Sequence, residues 1–523
     1  MTSSRALARA GLVVSGAFLV SRLLGWVRLV VITHTFEAGP ELDAFFAAFR
    51  LPDLVFQLVA AGALSSAVIP VLSALFATDE NARAWRVVST IANLMLLALL
   101  ALAVIVLVAA PLIIPAITPG FGPEESSRTV DLTRIMILSP IFLALGSLVT
   151  SVLNSRGRFA ASAIAPIVYN LAIIGGAILL APSFGVTSVA IGVVAGSLLH
   201  LAIQLAPLRA LGYRYDPRID LADPDARQAL KLMAPRALGL GAGQITFIVV
   251  TSIASTLQTG SITAFNVAFT LLQIPVGVIG VPLGIVVLPS LSREAALGRI
   301  EEFAALVSRA VRLLLFVMLP ITGIAIVLRH EIVELLFASS TFGPAAIGLT
   351  AATLLAFLTG LAAHALIAVL ARAFYARQDT RTPVAAAILA VAVNSTLAVV
   401  LVGPLGLPGL GLAIAIAAWL ETIVLFALLK RRLPELAIRP ILVLAGQSLV
   451  VTIGGSAAAA GVAAGLGLAL GANASIGVLL VRIAVAGVVW LVTSTAIAAV
   501  LRIGELSSMI GLMADLIRRP RRA

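Results

Sequence analysis

Val13–Phe36, VVSGAFLVSRLLGWVRLVVITHTF, is the stretch on which the reading of this chain turns. It is long and apolar enough for a membrane helix, which needs about 20 residues. It nevertheless carries Arg22 and Arg28, with no acidic residue between them. An arginine at the bilayer centre costs roughly 2.5–3.5 kcal/mol on insertion scales, so such residues face a bundle interior or a water-filled cavity. Six residues of helix place the two guanidiniums about 120° apart around the axis and about 9 Å apart along it. Gly25 lies midway and leaves a small open patch of backbone, and Ser21 adjoins Arg22. This is a cationic face shaped for an anion. The alternative is that one arginine snorkels to an interface while the other pairs with a distant carboxylate.

The composition sets the frame for that helix. The chain has 523 residues, 61% of them hydrophobic and 11% charged, with mean hydropathy +1.14. Globular domains are about 25% charged, so the fold class is an all-α polytopic membrane protein. The net charge of +12 does not indicate nucleic-acid binding. Its lysines and arginines fall mainly in short loops between apolar spans, as expected of cytoplasmic loops. The absence of cysteine excludes disulfides and thiolate metal sites. The first apolar run is interrupted by arginine and lacks a small-residue cleavage pattern, so no cleavable signal peptide is expected.

Fourteen spans can be marked, near 10–34, 44–75, 88–117, 131–154, 159–181, 187–208, 232–257, 262–290, 308–328, 346–371, 383–403, 408–429, 440–468 and 477–501. One set of alternate loops is basic, from Arg5 and Arg9 through Arg83 and Arg86 to the tail arginines Arg518, Arg519, Arg521 and Arg522; the other is acidic or uncharged. Both termini are therefore expected on the cytoplasmic side of the membrane. Ala44–Leu51, AFFAAFRL, aligns without gaps to Ala264–Leu271, AFNVAFTL, and Pro70-Val-Leu-Ser73 answers Pro289-Ser-Leu-Ser292. Spans 1–6 and 7–12 thus read as parallel repeats, an arrangement that builds transporters around a central site. The expected division is an N-lobe over 1–210, a polar linker over 211–227, a C-lobe over 228–432, two further helices over 433–505 and a basic tail over 506–523. The small residues of the thirteenth span suit close helix packing, and the tail suits anionic lipid. No G-x-x-x-x-G-K-[ST] occurs, which argues against an ATP-driven pump.

Polar groups within spans are few, and each is informative. Asp43, Arg50, Asp53 and Gln57 lie on the second span, where Arg50 and Asp53 are spaced to pair. Pro52 and Pro275 are expected to kink the second and eighth spans. His200 and Glu421 stand at an offset of 221, at equivalent places in the two repeats. Glu421, a lone carboxylate well inside the bilayer, is a candidate proton- or cation-coupling group; hydrogen bonding to a neighbouring helix is the equal alternative. Asn170, Gln244, Thr251 and Asn394 line a polar path or bond between helices. No catalytic set or metal-binding carboxylate cluster stands out, so no enzymatic activity and no cofactor are expected.

Ser21-Arg-Leu-Leu-Gly-Trp-Val-Arg28, Asp43-Ala-Phe-Phe, Phe49-Arg-Leu-Pro-Asp53 and Phe374-Tyr-Ala-Arg-Gln-Asp-Thr-Arg-Thr-Pro383 resemble the MurJ (MviN) lipid II flippases, within the multidrug/oligosaccharidyl-lipid/polysaccharide exporter superfamily. Leu153-Asn154, Arg158-Phe159 and Leu288-Pro-Ser-Leu-Ser292 add to the match. The resemblance implies two six-helix lobes around a cationic cavity and a groove at helices 13 and 14 for an undecaprenyl tail. It implies lipid II as the partner molecule, carried from the cytoplasmic to the periplasmic leaflet for peptidoglycan synthesis, with cell-wall synthesis proteins as candidate protein partners. Arg22 and Arg28 match the family's first-helix arginines and Asp43 its second-helix aspartate. Arginine suits a diphosphate because its planar fork bonds phosphate oxygens bidentately. Two further family arginines are replaced by Phe56 and Thr270, with Arg50 a candidate substitute. A sodium-site pattern of some members survives only as Asn394, with Ala398 at its second position. The coupling agent is then a monovalent cation or the membrane potential. The alternatives are another polyprenyl-diphosphate-linked glycan as substrate, or a cation-coupled multidrug antiporter of the same superfamily.

Overall fold

The computed structural model describes residues 4–59, 63–470, 475–507 and 509, with side chains from 16 onward except at 18, 63–67, 232, 234–240, 242 and 470. The tail arginines Arg518, Arg519, Arg521 and Arg522 lie outside the described residues. All regular structure among the described residues is helical.

The chain divides into two compact units, one of residues 1–263 with 339–343, the other of 264–338 with 344–523. The first holds α1 (Ser4–Thr35), α2 (Pro40–Ala48), α3 (Arg50–Val59), α4 (Ala63–Ala77), α5 (Asn81–Ile117), α6 (Pro123–Met136), α7 (Ser139–Ser155), α8 (Phe159–Leu179), α9 (Ala181–Phe184), α10 (Thr187–Arg209) and α11 (Pro224–Ser255). After α12 (Ser261–Pro275) and a π-helical turn over Val276–Gly280, the second holds α13 (Val281–Ala296), α14 (Ile300–Val327), α15 (Arg329–Phe337), α16 (Pro344–Leu358), α17 (Leu361–Ala376), α18 (Arg381–Leu405), α19 (Leu407–Arg432), α20 (Ile438–Leu470) and α21 (Ile476–Val500). Among the described residues, ten helices are long and apolar enough to cross a membrane, eleven if the bent pair α16–α17 forms one span. The expected span 44–75 includes residues outside the described set, 10–34 and 232–257 include residues whose side chains are outside it, and fourteen remains an expectation.

Repeat and packing divide the chain at different places. The repeat begins its second copy with the seventh span, yet α11 packs on α3, α4 and α5 of the first unit. Several expected loops are also helical. Glu124 and Glu125 occupy the first turn of α6 behind Pro123, and Glu301 and Glu302 the first turn of α14. Acidic side chains are stabilised there by the helix dipole, so in both places the helix starts well before the apolar run.

The prolines act as the sequence suggests, but differently in the two copies. The second span breaks at Phe49, between α2 and α3. Pro52 has no N–H for the Ala48 carbonyl four residues back; the Thr133 hydroxyl, which donates to the Thr129 carbonyl at 2.8 Å, stands 3.4 Å from it. In the eighth span the helix widens after Pro275 rather than before it, into the π turn Val276–Gly280.

Most of the polar linker, as far as Asp223, is a loop. Residues 213–223 form an extended strap along the N-terminal half of α5. Tyr213 packs edge-on against Trp85, which packs on Phe76, and the Arg156 guanidinium lies 4.7 Å over the Phe76 ring. The Tyr213 hydroxyl meets Ser89 Oγ at 3.1 Å, and the Tyr215 hydroxyl donates to Asn93 Oδ1 at 2.7 Å. Asn93 Nδ2 donates to the carbonyl of Asp216, and the Asp220 N–H donates to Thr90 Oγ1. Arg83 closes the strap with Asp223 at 2.9 Å and Asp225 at 2.6 Å. Asp223 is also the N-cap of α11, accepting from the N–H groups of Asp225 and Ala226.

The Phe374–Pro383 motif has a structural reason. Gln378 adopts φ +60°, turning the chain so that Asp379 caps α18. Its Oδ1 accepts from the N–H groups of Arg381 and Thr382, and its Oδ2 from the Thr382 hydroxyl and from Arg432. Burial pushes the Asp379 carboxyl up, but hydrogen bonds from Thr382 and Arg432 outweigh it and hold the group at about 2. A folded pKa below the unfolded value of about 3.9 contributes stability that is present above about pH 4 and lost as pH falls toward 2. Asp379→Asn is therefore expected to lower the unfolding temperature at neutral pH. The difference from wild type should vanish near pH 2, as thermal scans in detergent across that range will show. An unchanging difference would remove Asp379 as the cause.

Candidate anion site on the first helix

Ser21, Arg22, Gly25 and Arg28 sit on the part of α1 that packs against α8. Asn170 fixes the register: its Nδ2 donates to the Ser21 carbonyl at 3.3 Å and to the Pro166 carbonyl at 2.9 Å. Of the two roles read for Asn170, interhelical bonding is the one it performs. Gly25 is less open than its sequence position suggests, because a Cβ there would meet Asn170 Oδ1 at 3.8 Å, an ordinary contact.

Beside Arg22, which is exposed, a cleft of about 230 Å³ opens between α1, the end of α7 and the start of α8. Ser21, Asn154, Phe159, Ser162 and Pro166 line it with Arg22. Ser162 Oγ donates to Asn154 Oδ1 at 3.0 Å, which leaves the Asn154 amide N–H groups as further donors to an anion. Arg28 is half-buried, its guanidinium 5.9 Å from the centroid of the Tyr169 ring. A hydroxyl, an amide and a guanidinium around a small cleft, with a second guanidinium less than two turns along, can hold a doubly charged oxyanion such as a diphosphate.

The other expected cavity residues are engaged elsewhere. Asp43, expected in the substrate cavity, is 3% exposed and holds the Gly260–Thr263 turn. Its Oδ2 accepts from the Gly260 N–H at 2.7 Å, and its Oδ1 accepts from the Thr263 N–H at 2.7 Å and the Thr263 hydroxyl at 2.6 Å. With both oxygens taken, Asp43 is a cap. Arg50, the candidate substitute for the missing arginines, is 8% exposed. Its Nε donates to Thr251 Oγ1 at 2.8 Å and its guanidinium lies 5.3 Å over Phe247. Asp53 attracts Arg50 and accepts hydrogen bonds from Gln57 and Gln244. Phe56 packs against the buried core of the first unit, and the Thr270 hydroxyl donates to the Asn266 carbonyl of its own helix. Neither replaces a lost cation.

His200 is buried on α10 against Gly146, where a Cβ would come within 2.5 Å of His200 Nδ1. Glu421 is half-buried on α19. Asn394 is 2% exposed with no hydrogen-bond partner for either amide atom among the described residues, and Ala398 one turn on is fully buried. An amide and a methyl group do not make a carboxylate-bearing cation site. Sequence reading missed Arg482, a buried cation on α21 whose guanidinium lies on Gly467 and donates to its carbonyl at 3.5 Å. Its signal, a single arginine in an apolar span, was present.

A family model described as lipid II flippase MurJ matches residues 32–469. The chain belongs to the lipid II flippase MurJ family. Among relatives, the probable lipid II flippase MurJ of Rhizobium tropici is 33% identical over 428 residues, covering 80% of each chain. The lipid II flippase MurJ of Burkholderia cenocepacia is 31% identical over 432 residues, covering 81% of this chain and 84% of the relative. A solved lipid II flippase MurJ in an inward closed conformation superposes with TM-score 0.77 at 24% identity, over 94% of this chain and 99% of that one. An inward-facing MATE-family multidrug transporter of the MOP superfamily gives 0.64 at 16% identity, over 79% of this chain and 95% of that one. These likenesses show a fold that the family shares with that superfamily. Arg22 and Arg28 precede the matched residues, so the site rests on their own geometry.

Proposed function

We propose that this protein moves lipid II from the cytoplasmic to the periplasmic leaflet by alternating access, with Arg22 and Arg28 holding the diphosphate. The observation that carries the site is the Arg22 cleft, where Ser21, Asn154 and Ser162 add neutral polar groups to an intramembrane guanidinium. A multidrug antiporter for cationic drugs requires an acidic pocket, and among the described residues no acidic side chain lines this cleft. Both termini face the cytoplasm in this reading, following the basic loops. The membrane potential, negative inside, favours outward movement of an anionic head by about 2.3 kcal/mol per charge per 100 mV. Glu421 is the residue through which a proton would couple.

The test is complementation of a bacterium depleted of its own flippase, with lipid II accessible in the outer leaflet as the readout. Rescue of both growth and outer-leaflet lipid II is expected. Failure of well-expressed wild-type protein would assign the site to a different polyprenyl-diphosphate glycan, and Phe56 and Thr270 would be the first positions to change.

A further inference from the structure

Residues 339–343 lie in sequence between α15 and α16, yet they pack as part of the first unit. Thr341 is their point of attachment. Its hydroxyl stands 2.9 Å from the Thr33 carbonyl and 3.1 Å from the His34 carbonyl, at the end of α1, and its own carbonyl accepts from the Ala38 N–H at 3.0 Å. A hydroxyl has one proton, so Thr341 shares it between the two carbonyls, and the Ser339 hydroxyl 2.8 Å away is the donor to Thr341. The last carbonyls of a helix have no partner within it. Here a residue 308 positions from Thr33 supplies one.

Two features make this attachment releasable. The loop keeps its own shape, because Ser339 Oγ accepts from the Phe342 N–H at 3.0 Å and Phe342 is fully buried. The bonds to α1 are neutral, Thr341 is half-buried, and His34 and Glu37 are exposed, so water reaches this end of the helix. Such bonds exchange for water at small net cost, unlike the buried carboxylate cap at Asp43. The helix is thus held at two levels. Asn170 keys it at Ser21, beside Arg22, and Thr341 holds it at Thr33, five residues beyond Arg28 and about 7.5 Å further along the axis.

We propose, on the reading that α1 carries the diphosphate, that Thr341 is a positioning residue. It clasps the far end of α1 while lipid II binds and lets go of it in each transport cycle. The Arg28 turn then moves while the Arg22 turn stays keyed to α8. Thr341 acts on the anion site only through the helix that bears it.

The chain has no cysteine, so a pair can be introduced without background. In the Ala38→Cys, Thr341→Cys protein the two backbones are in hydrogen-bond contact, within reach of a disulfide or of a short reducible bis-thiosulfonate linker. Cross-linking in membranes is expected to leave lipid II binding unchanged and to abolish delivery to the outer leaflet, with delivery restored on reduction. The control pair Ser89→Cys, Tyr213→Cys joins the strap to α5 and is expected to leave delivery unchanged. Thr341→Val removes the hydroxyl and keeps the main-chain bond. Hydrogen exchange at the Ala38 amide should then quicken about fivefold, a readout independent of transport. Full delivery by the cross-linked protein overturns the proposal, as do arrest by the control pair, loss of lipid II binding on cross-linking, and failure of both reagents to join residues 38 and 341. Absence of delivery by the wild-type protein is instead a failure of the transport reading. Exchange in the Thr341→Val protein then decides the clasp by itself, and an unchanged rate at Ala38 overturns it.

Discussion

Arg22→Ala and Arg28→Ala proteins, inserted at wild-type levels, are expected to lose complementation of a flippase-depleted strain. A charge-assisted hydrogen bond contributes about 1.5–3 kcal/mol, so each alanine should cut diphosphate binding by roughly ten- to a hundredfold. Lysine at either position keeps the charge without the planar fork and should restore activity only in part. Gly25→Ala is the control between them, because its Cβ makes an ordinary 3.8 Å contact with Asn170 and should leave growth intact. Full growth with the Arg22→Ala protein would remove the cleft beside Arg22 from the mechanism. Loss of growth with Gly25→Ala would mean that the packing of α1 on α8, rather than charge, is what the substitutions disturb.

The second large effect concerns Asp43. Three donors converge on its carboxylate, the N–H groups of Gly260 and Thr263 and the Thr263 hydroxyl, all in a buried setting. Alanine leaves these donors buried without an acceptor, at a cost of about 3 kcal/mol or more. Asp43→Ala is expected to unfold at a lower temperature in detergent, with faster hydrogen exchange at the Gly260 and Thr263 amides. Asparagine retains one acceptor oxygen but turns an NH₂ toward a donor, so it should fall between. Unaltered exchange at those two amides in the alanine protein would show that the cap does not hold the turn. This outcome also separates two explanations of any transport defect at Asp43. A residue that binds substrate loses transport while keeping the amides protected, whereas a cap loses both.

Much of this protein is legible in one dimension. Hydropathy marks the spans because each needs about 20 apolar residues. The first-helix arginines point to the proposed anion site because a charge in that setting is costly wherever it is not put to use. Pro52 foretells the break at Phe49, since a missing N–H is a local fact of the chain. The polar residues of the second span were harder to assign. Arg50 reads equally as a cavity cation or as a partner for Asp53. Only the fold shows it bonded to Thr251, 201 residues away. The same holds for Asn154, Phe159 and Ser162, which join Arg22 in one cleft although no sequence spacing links them to it.

Sequence alone therefore determined that the chain is a helical membrane protein, and it points to a repeat and to a cationic face on the first helix. Those properties follow from transfer energies and helix periodicity, which act residue by residue. The tertiary structure alone decided which polar groups are consumed by packing. Asp43 became a cap, Arg50 a partner of Thr251, and the linker a strap on α5. The reason is that a buried hydrogen-bonding group takes whichever partner the fold brings within about 3 Å, and in these three cases that partner stands more than a hundred residues away in the chain.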